Sequence, residues 1–165
     1  MDGTPRFDLP LLAAGQAQKE IYHNEALQRI DALVAPCVAG PPSLTPPPAP
    51  EAGDCHLVGA GAAGAWEGHD QSLAMYAEGG WRFIAPSEGM RLWVAGDEVD
   101  ALYRAGAWEL GTLRADRVYV GGTKVVDAQQ AAIADPQSGA VVDTQARAVV
   151  VQLLGALRAH GLIAS

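Results

Sequence analysis

A glycine-rich hexad is the pattern in this chain that most suggests chemistry. The letters GAGAAG at residues 59–64 fit G-x-G-x-x-G, the loop that holds the pyrophosphate of a dinucleotide. Such a loop works when a strand precedes it and a helix begins within it, with the helix N-terminus facing the phosphates. A short strand at residues 55–58 does precede the hexad, but Gly68 follows too soon for a helix to grow and no βαβ unit comes after. The hexad is therefore interpreted as a turn-forming loop, and no cofactor is predicted.

Carboxylates around one turn are the next candidates. Asp97, Glu98 and Asp100 lie at or beside a tight turn, with Glu109 as a candidate neighbour in space. A carboxylate pair can perform acid–base or glycosidic chemistry, but acidic side chains at turns are commonly just solvated. No motif places a nucleophile beside a base. The sequence therefore predicts that the protein is not an enzyme and has no catalytic residues.

Histidines and cysteines do not form a recognisable metal motif. The four histidines, at positions 23, 56, 69 and 160, show no pair at metal-ligand spacing on one element. Cys37 and Cys55 flank a proline-rich stretch and could close it with a disulfide, although free thiols are favoured in a reducing compartment. No metal site is predicted.

Bulk properties narrow the classes of partner. The formal net charge of −8, with scattered basic residues, argues against a nucleic-acid grip and against anionic membrane surfaces. The longest apolar run, near residues 149–157, contains Gln152 and is too short to cross a bilayer. Residues 1–6 lack the layout of a signal peptide, so synthesis in the cytoplasm is predicted. Alanine supplies much of the apolar fraction, so the core is expected to be modest and to gain from burial in an oligomer.

The four tryptophans share one stretch, residues 56–110, and admit two interpretations. Packed inward, Trp66, Trp81, Trp93 and Trp108 would build the core of a module that has few other large residues. Exposed together on one sheet face, they would offer flat surfaces for stacking sugar rings. Trp66 and Trp93 are the candidates for ligand stacking.

Short apolar segments separated by glycine turns predict an antiparallel meander or small barrel. A further extended segment is predicted at residues 129–134, and a helix is predicted on each side of the module. The fold class is therefore α+β. The predicted strands span residues 55–58, 73–77, 81–85, 90–95, 99–104, 107–110, 118–120 and 123–126.

The first predicted helix, residues 15–34, has a seam that is apolar at one end and polar at the other. Leu27, Ile30 and Val34 recur at steps of three and four, and the same register places His23, Glu20 and Gln16 on that face. One interpretation is a helix that caps the β module with a polar start. A second is a self-associating helix, whose polar seam residues would set the register or the number of strands. A third is that His23 acts as a ligand.

The second predicted helix, residues 143–160, has clear ends and a wide apolar stripe. Asp143 is a suitable N-cap and Gly161 a suitable C-cap. The stripe suits either its own domain core or a bundle of copies, and Leu154 widens it. Its members are Ala146, Val149, Val150, Leu153 and Leu157.

Four segments follow from these elements. Residues 1–35 form an N-terminal helical segment for oligomerisation or attachment, and residues 55–111 form the tryptophan-rich β module. Residues 112–165 contain short strands and the C-terminal helix. Residues 36–54 contain seven prolines and are interpreted as a semi-rigid linker. The alternatives are a ligand for a proline-recognition domain and a strap laid along the domain.

The order of residues resembles a bacterial phage domain family of unassigned function. The resemblance is carried by LPLLAAGQAQKE at residues 9–20 and HNEAL at residues 23–27. It continues through Pro46-Pro47, Gly53-Asp54, the Gly-x-Trp and Gly-Trp steps at Trp66 and Trp81, and PSEG at residues 86–89. Members occur in tail fibres and in the spikes of gene transfer agents, which are phage-like particles. The C-terminal residues 125–162 also resemble the ends of such proteins.

This resemblance implies a virion structural component that is made in the bacterial cytoplasm and then joins a particle. The expected role is the base or adaptor of a head spike or tail fibre in host attachment. Expected partners are further copies of the chain, as a trimer or pentamer, capsid or tail proteins and a separate spike or fibre; the alternative is a module that binds host polysaccharide directly. Predicted interface residues are His23, Leu27, Ile30, Val34, Val149, Val150, Leu153 and Leu157.

Overall fold

The structure is a computed structural model that describes residues 3–12, 15, 19–137 and 143–164. Helix α1 (Lys19–Leu33) precedes the strands and helix α2 (Thr144–Ala159) follows them. The strands are β1 (Cys37–Val38), β2 (Cys55–Leu57), β3 (Leu73–Ala77), β4 (Gly80–Ile84), β5 (Arg91–Val94), β6 (Val99–Arg104), β7 (Ala107–Leu110), β8 (Val118–Val120) and β9 (Thr123–Val126).

The strands of the described residues form open sheets. One sheet has the order β1-β5-β6-β7, a second has β2-β3-β4, and β8 pairs with β9. Only the β1–β5 pair is parallel within these sheets. The α+β class with a helix at each end is confirmed, whereas the described strands do not close into a barrel.

The chain divides into two compact units. Unit 1, Met1–Thr112, contains α1 and strands β1 to β7, and unit 2, Leu113–Ser165, contains β8, β9 and α2.

No helix among the described residues has the length and apolar character needed to span a bilayer.

The two sheets of unit 1 share one hydrophobic core. Leu57, Leu73 and Met75 enter it from the three-stranded sheet, and Leu92 and Val94 enter it from the other. Strand alternation explains which residues enter the core, because residues two apart in a strand point to the same face of a sheet. The core therefore takes every second residue of each strand and leaves an opposite face on each sheet.

The proline-rich segment is part of unit 1. Cys37 and Val38 form β1, and the Ala39 amide donates to the Cys55 carbonyl at 3.0 Å. Further along, the Ser43 amide donates to the Leu57 carbonyl at 2.9 Å. These non-proline residues supply the donors that proline lacks, so the segment lies along the sheets as a strap.

Both helices differ slightly from the predicted spans. The first is described from Lys19; Gln16, predicted on its seam, lies outside the described residues, as does the end of the predicted turn at 135–139. At α2 the Asp143 carboxylate accepts from the amides of Gln145 and Ala146 at 3.1 and 2.9 Å, which confirms the N-cap. The predicted segment 129–134 is not assigned as a strand, and only Gln130 makes a bridge, to Ile163.

Candidate assembly surfaces and tryptophan site

Helix α1 packs on the rest of unit 1 with several polar contacts. Asp31 is completely buried, and its carboxylate accepts from the Thr4 hydroxyl at 2.6 Å and from the amides of Arg6 and Phe7 at 2.9 and 2.8 Å. Asn24 is bonded to both the amide and the carbonyl of Leu12. Residues 3–12, here termed the N-terminal clasp, thus supply partners for the inner face of the helix.

The end of α1 is capped by the same clasp. The Arg6 guanidinium donates to the carbonyls of Asp31, Ala32 and Ala35 at 2.6, 3.3 and 3.0 Å. The last carbonyls of a helix have no intrahelical partner, and a cation there also offsets the negative end of the helix dipole. Arg6 therefore fixes both where α1 ends and how it lies on the domain.

The outward face of α1 exposes apolar side chains together with Arg29. Tyr22 is 82% exposed, and Ile30, Leu33 and Val34 are also exposed. Of the predicted seam, His23, Ile30 and Val34 point to solvent and Leu27 is half-buried. The predicted stripe is therefore not the face that packs on unit 1, because the packing face is formed around Asp31 and Ala32.

Tyr22 and Leu33, which are exposed on this outward surface, were not predicted from the sequence as part of the seam. The steps from Tyr22 through Ala26 and Ile30 to Leu33 are four, four and three residues, which also repeat at helical spacing. The prediction centred the seam on Leu27 instead. The polar partners of the clasp decide the orientation, and nothing in the helix sequence itself reveals them.

Helix α2 shows a wider exposed stripe. Leu154 is buried, and Arg158 next to it on the helix surface bonds to Asp135 at 2.9 Å. The neighbouring stripe of α2 points away from these contacts. Val149, Val150, Leu153 and Leu157, all predicted as interface residues, are exposed, with Leu153 at 59%. Complete burial of one such side chain is worth about 1.5–3 kcal/mol, so these stripes hold stabilisation that the single chain does not use.

The tryptophans divide between core and surface. Trp66 is completely buried, Trp108 is buried with its Nε1 donating to the Gln71 carbonyl at 2.8 Å, and Trp81 is half-buried. Trp93 is 42% exposed on the solvent side of β5. Of the two stacking candidates, only Trp93 offers a ring face to a ligand, and Trp66 lies with the other sheet.

Sequence comparison relates unit 1 to other proteins. A family described as Protein of unknown function (DUF2793) matches residues 23–109, which is more than half of the chain. The chain belongs to this family. The DUF2793 match begins within α1 and ends within β7, so it lies inside unit 1 and does not include unit 2. A search of curated proteins finds no match.

The glycine hexad lies in the middle of the DUF2793 domain and forms a loop. The Asp70 carboxylate accepts from the amides of Gly61 and Ala62 at 2.9 and 3.3 Å, and the Ala63 amide donates to the Leu44 carbonyl at 2.9 Å. The chain then enters a short 3-10 turn, Gly64–Trp66. The amides that would cradle a pyrophosphate are thus occupied, and a carboxylate stands where the phosphate would lie.

An aromatic cluster covers the outer face of the three-stranded sheet. The Trp81 ring contacts those of Trp66, Tyr76 and His56, with centroid distances of 5.2, 5.1 and 5.8 Å. Burial lowers the pKa of His56, so its neutral form is favoured beside these rings. The cluster was not predicted from the sequence, although the pairing of Tyr76 with Trp81 across a two-residue hairpin is the signal that places them together.

The acidic residues considered in the sequence are spread over one turn and the strands β6 and β7. Glu109 pairs with Arg104 at 3.5 Å, Asp100 lies opposite Trp93 in the sheet register, and Asp97 and Glu98 are exposed at their turn. Both cysteines are free thiols, and burial raises the pKa of Cys55 to about 11. The described residues include no group of three metal-binding side chains.

Proposed function

We propose that this protein is a structural component of a phage-like particle, either a phage or a gene transfer agent. It acts there as the base or adaptor that mounts a head spike or tail fibre for attachment to the host. The observation that carries the proposal is the presence of exposed apolar side chains on both α1 and α2 in a chain that contains a DUF2793 domain.

The outward face of α1 supports a role in assembly. The clasp bonds Asp31 and Asn24 on the inner side of this helix, while Tyr22, Ile30 and Leu33 remain exposed. A contiguous exposed apolar surface on a small domain is typical of an interaction site. The proposed partners are further copies of the chain, as a trimer or pentamer, together with a capsid or tail protein and a separate spike or fibre.

The particle setting is supported by the motif at residues 9–27, which resembles domains found in tail fibres and gene-transfer-agent spikes. In the structure this motif includes the end of the clasp, the contact between Leu12 and Asn24 and the first half of α1. The resemblance therefore includes the Leu12–Asn24 contact, which is one of the contacts that hold α1 on the clasp.

Particle purification tests the proposal. Phage-like particles from a producing strain would be isolated on a density gradient, and the chain would be quantified by mass spectrometry relative to the major capsid protein. Ile30→Gln should lower incorporation at least about fivefold, since interface apolar groups dominate association energy. Glu67→Gln is the control, because Glu67 is exposed after the Gly64–Trp66 turn and does not lie on α1.

Two results would contradict the proposal. One is absence of the wild-type chain from purified particles. The other is a stable monomer at micromolar concentration whose incorporation Ile30→Gln does not change.

A carbohydrate-binding module is the second candidate function. The observation that favours it is the exposed Trp93 indole, which lies on the strand face shared with Arg91 and opposite Asp100. An aromatic face with polar neighbours suits a sugar ring. Trp93→Ala should abolish binding on a glycan array with folding retained, whereas Tyr22→Ala, at another exposed aromatic residue, should not; absence of wild-type binding would end this candidate.

A further inference from the structure

We infer that unit 2 folds only as it associates with other copies of the chain, through a bundle of α2 helices. This inference rests on the self-association in the proposed function and adds that one part of the chain depends on it for its fold. It does not require that the assembly be a phage-like particle.

Unit 2 has almost no core of its own. Among its described residues only Leu154 and Ile163 are buried. A unit of this size rarely buries enough apolar surface to fold without a disulfide, a metal or association. Twelve of its large apolar residues are exposed: Leu113, Tyr119, Val120, Val125, Val126, Ile133, Val149, Val150, Val151, Leu153, Leu157 and Leu162.

Polar contacts join the segments that the structure describes in unit 2. Arg158 holds Asp135 and the Ile133 carbonyl, and the Gln130 amide donates to the Leu162 carbonyl at 3.0 Å. A 16-residue helix is marginal in water without tertiary packing, and a two-stranded hairpin such as β8–β9 is marginal as well. Neither element therefore accounts for the stability of the other.

The exposed stripe of α2 is complementary to itself. Ala146, Val150, Leu153 and Leu157 follow one another at steps of four, three and four residues, the spacing at which helices interlock in a coiled coil. The stripe contains no charged residue. The two arginines of α2 lie on another side of the helix, where Arg158 is paired with Asp135, so identical helices would bring no like charges together at the seam. A second copy of α2 is therefore the partner that fits this surface.

Two spectroscopic signals of the chain can follow the two units separately in a dilution experiment. All four tryptophans lie in unit 1, so their emission follows that unit, while far-UV circular dichroism follows both helices. On dilution from about 100 µM to about 0.1 µM, mass action should dissociate the bundle. The helical signal should then fall by about half, because α2 contributes 16 residues and α1 contributes 15. Tryptophan emission should not change.

Two substitutions at adjacent positions distinguish the contribution of the stripe from that of the other faces of α2. Leu153→Glu places a charge in the seam and should give a monomer, by sedimentation equilibrium, that has lost the α2 signal at every concentration. Gln152→Glu introduces the same residue on the other side of α2 and should behave as wild type. Unchanged tryptophan emission in Leu153→Glu would show that unit 1 remains folded.

A wild-type chain that keeps its full helical signal as a monomer would overturn the inference, as would identical behaviour of the two variants. Coupled loss of mass and helicity, limited to Leu153→Glu, would support it. If the chain assembles in this way but is absent from particles, only the proposed function fails. If it is present in particles but α2 is helical in the monomer, only this inference fails.

Discussion

Asp31 shows how one buried carboxylate sets the orientation of a helix. Its two oxygens accept from Thr4, Arg6 and Phe7, and so join α1 to a segment more than twenty residues earlier in the chain. An apolar residue at this position would make the stripe through Ile30 and Leu33 compete for the inner face. Burial of Asp31 on the inner face of α1 therefore goes together with exposure of Ile30 and Leu33 on its outer face.

Asp31→Asn should destabilise unit 1 by about 1–3 kcal/mol, because the amide turns one acceptor oxygen into a donor that faces other donors. Chemical denaturation followed by tryptophan emission measures the change. Asp97→Asn, at an exposed turn, should stay within about 0.5 kcal/mol of wild type. Equal effects of the two substitutions would show that the buried bonds do not hold the helix.

Cys55 should be an unreactive thiol in the folded protein. Burial raises its pKa to about 11, so only about one molecule in a thousand carries the thiolate at pH 8. A disulfide-exchange reagent should label Cys37 first and Cys55 only on unfolding, as peptide mass spectrometry would show. Rapid labelling of Cys55 under native conditions would contradict the buried position.

The raised pKa of Cys55 also makes the stability of the folded protein depend on pH. Above pH 9 the unfolded thiol loses its proton while the folded one retains it, so the contribution of Cys55 is complete below pH 9 and declines as pH rises toward about 11. Cys55→Ala should flatten this alkaline decline in denaturation midpoints. Cys37→Ala serves as the comparison.

At the scale of elements, the strap and the second helix respond differently to one added methyl group. A Cβ on Gly96 would lie 2.7 Å from the Ala39 carbonyl oxygen, closer than atoms can approach, whereas one on Gly155 meets nothing within 4 Å. Gly96→Ala should therefore cost about 1–3 kcal/mol in unit 1 by displacing the strap. Gly155→Ala should stabilise α2 by up to about 1 kcal/mol, since alanine is the better helix former.

Denaturation curves measured by tryptophan emission and by circular dichroism distinguish these effects. Gly96→Ala should lower the denaturant midpoint of the emission curve. Gly155→Ala should raise the denaturant midpoint of the helical signal, compared at one protein concentration, and leave the emission curve unchanged. A neutral Gly96→Ala would mean that the strap can move away without loss.

Strands and helix ends were the parts of the fold that the sequence could predict. Strands β3, β6 and β7 match their predicted spans because these short, largely apolar segments are bounded by glycine turns. The pairing of β1 could not be predicted, since a two-residue strand between prolines has no period. The burial of Trp66 also depends on contacts distant in sequence, because the ring is covered only after β3 and β4 have brought Trp81 beside it.

At the scale of the whole molecule, the two units should separate cleanly. Removal of residues 113–165 should leave the emission spectrum and the cooperative unfolding of unit 1 unchanged, because the core around Leu57 and Leu92 lies within Met1–Thr112. Limited proteolysis should likewise release a resistant fragment ending near Thr112. A truncated chain that unfolds without cooperativity would show that unit 1 needs the rest of the sequence.

The parallel pairing of β1 with β5 has a consequence during synthesis. Val38 joins Val94, more than fifty residues later in the chain, and the Trp93 amide donates to the Pro36 carbonyl. A nascent chain cannot close this contact until β5 has left the ribosome, and contacts so distant in sequence slow folding. During that interval the outer edge of β5 is open to a strand from a neighbouring nascent chain, so exchange of β1 between chains is the misassembly that this topology makes most accessible.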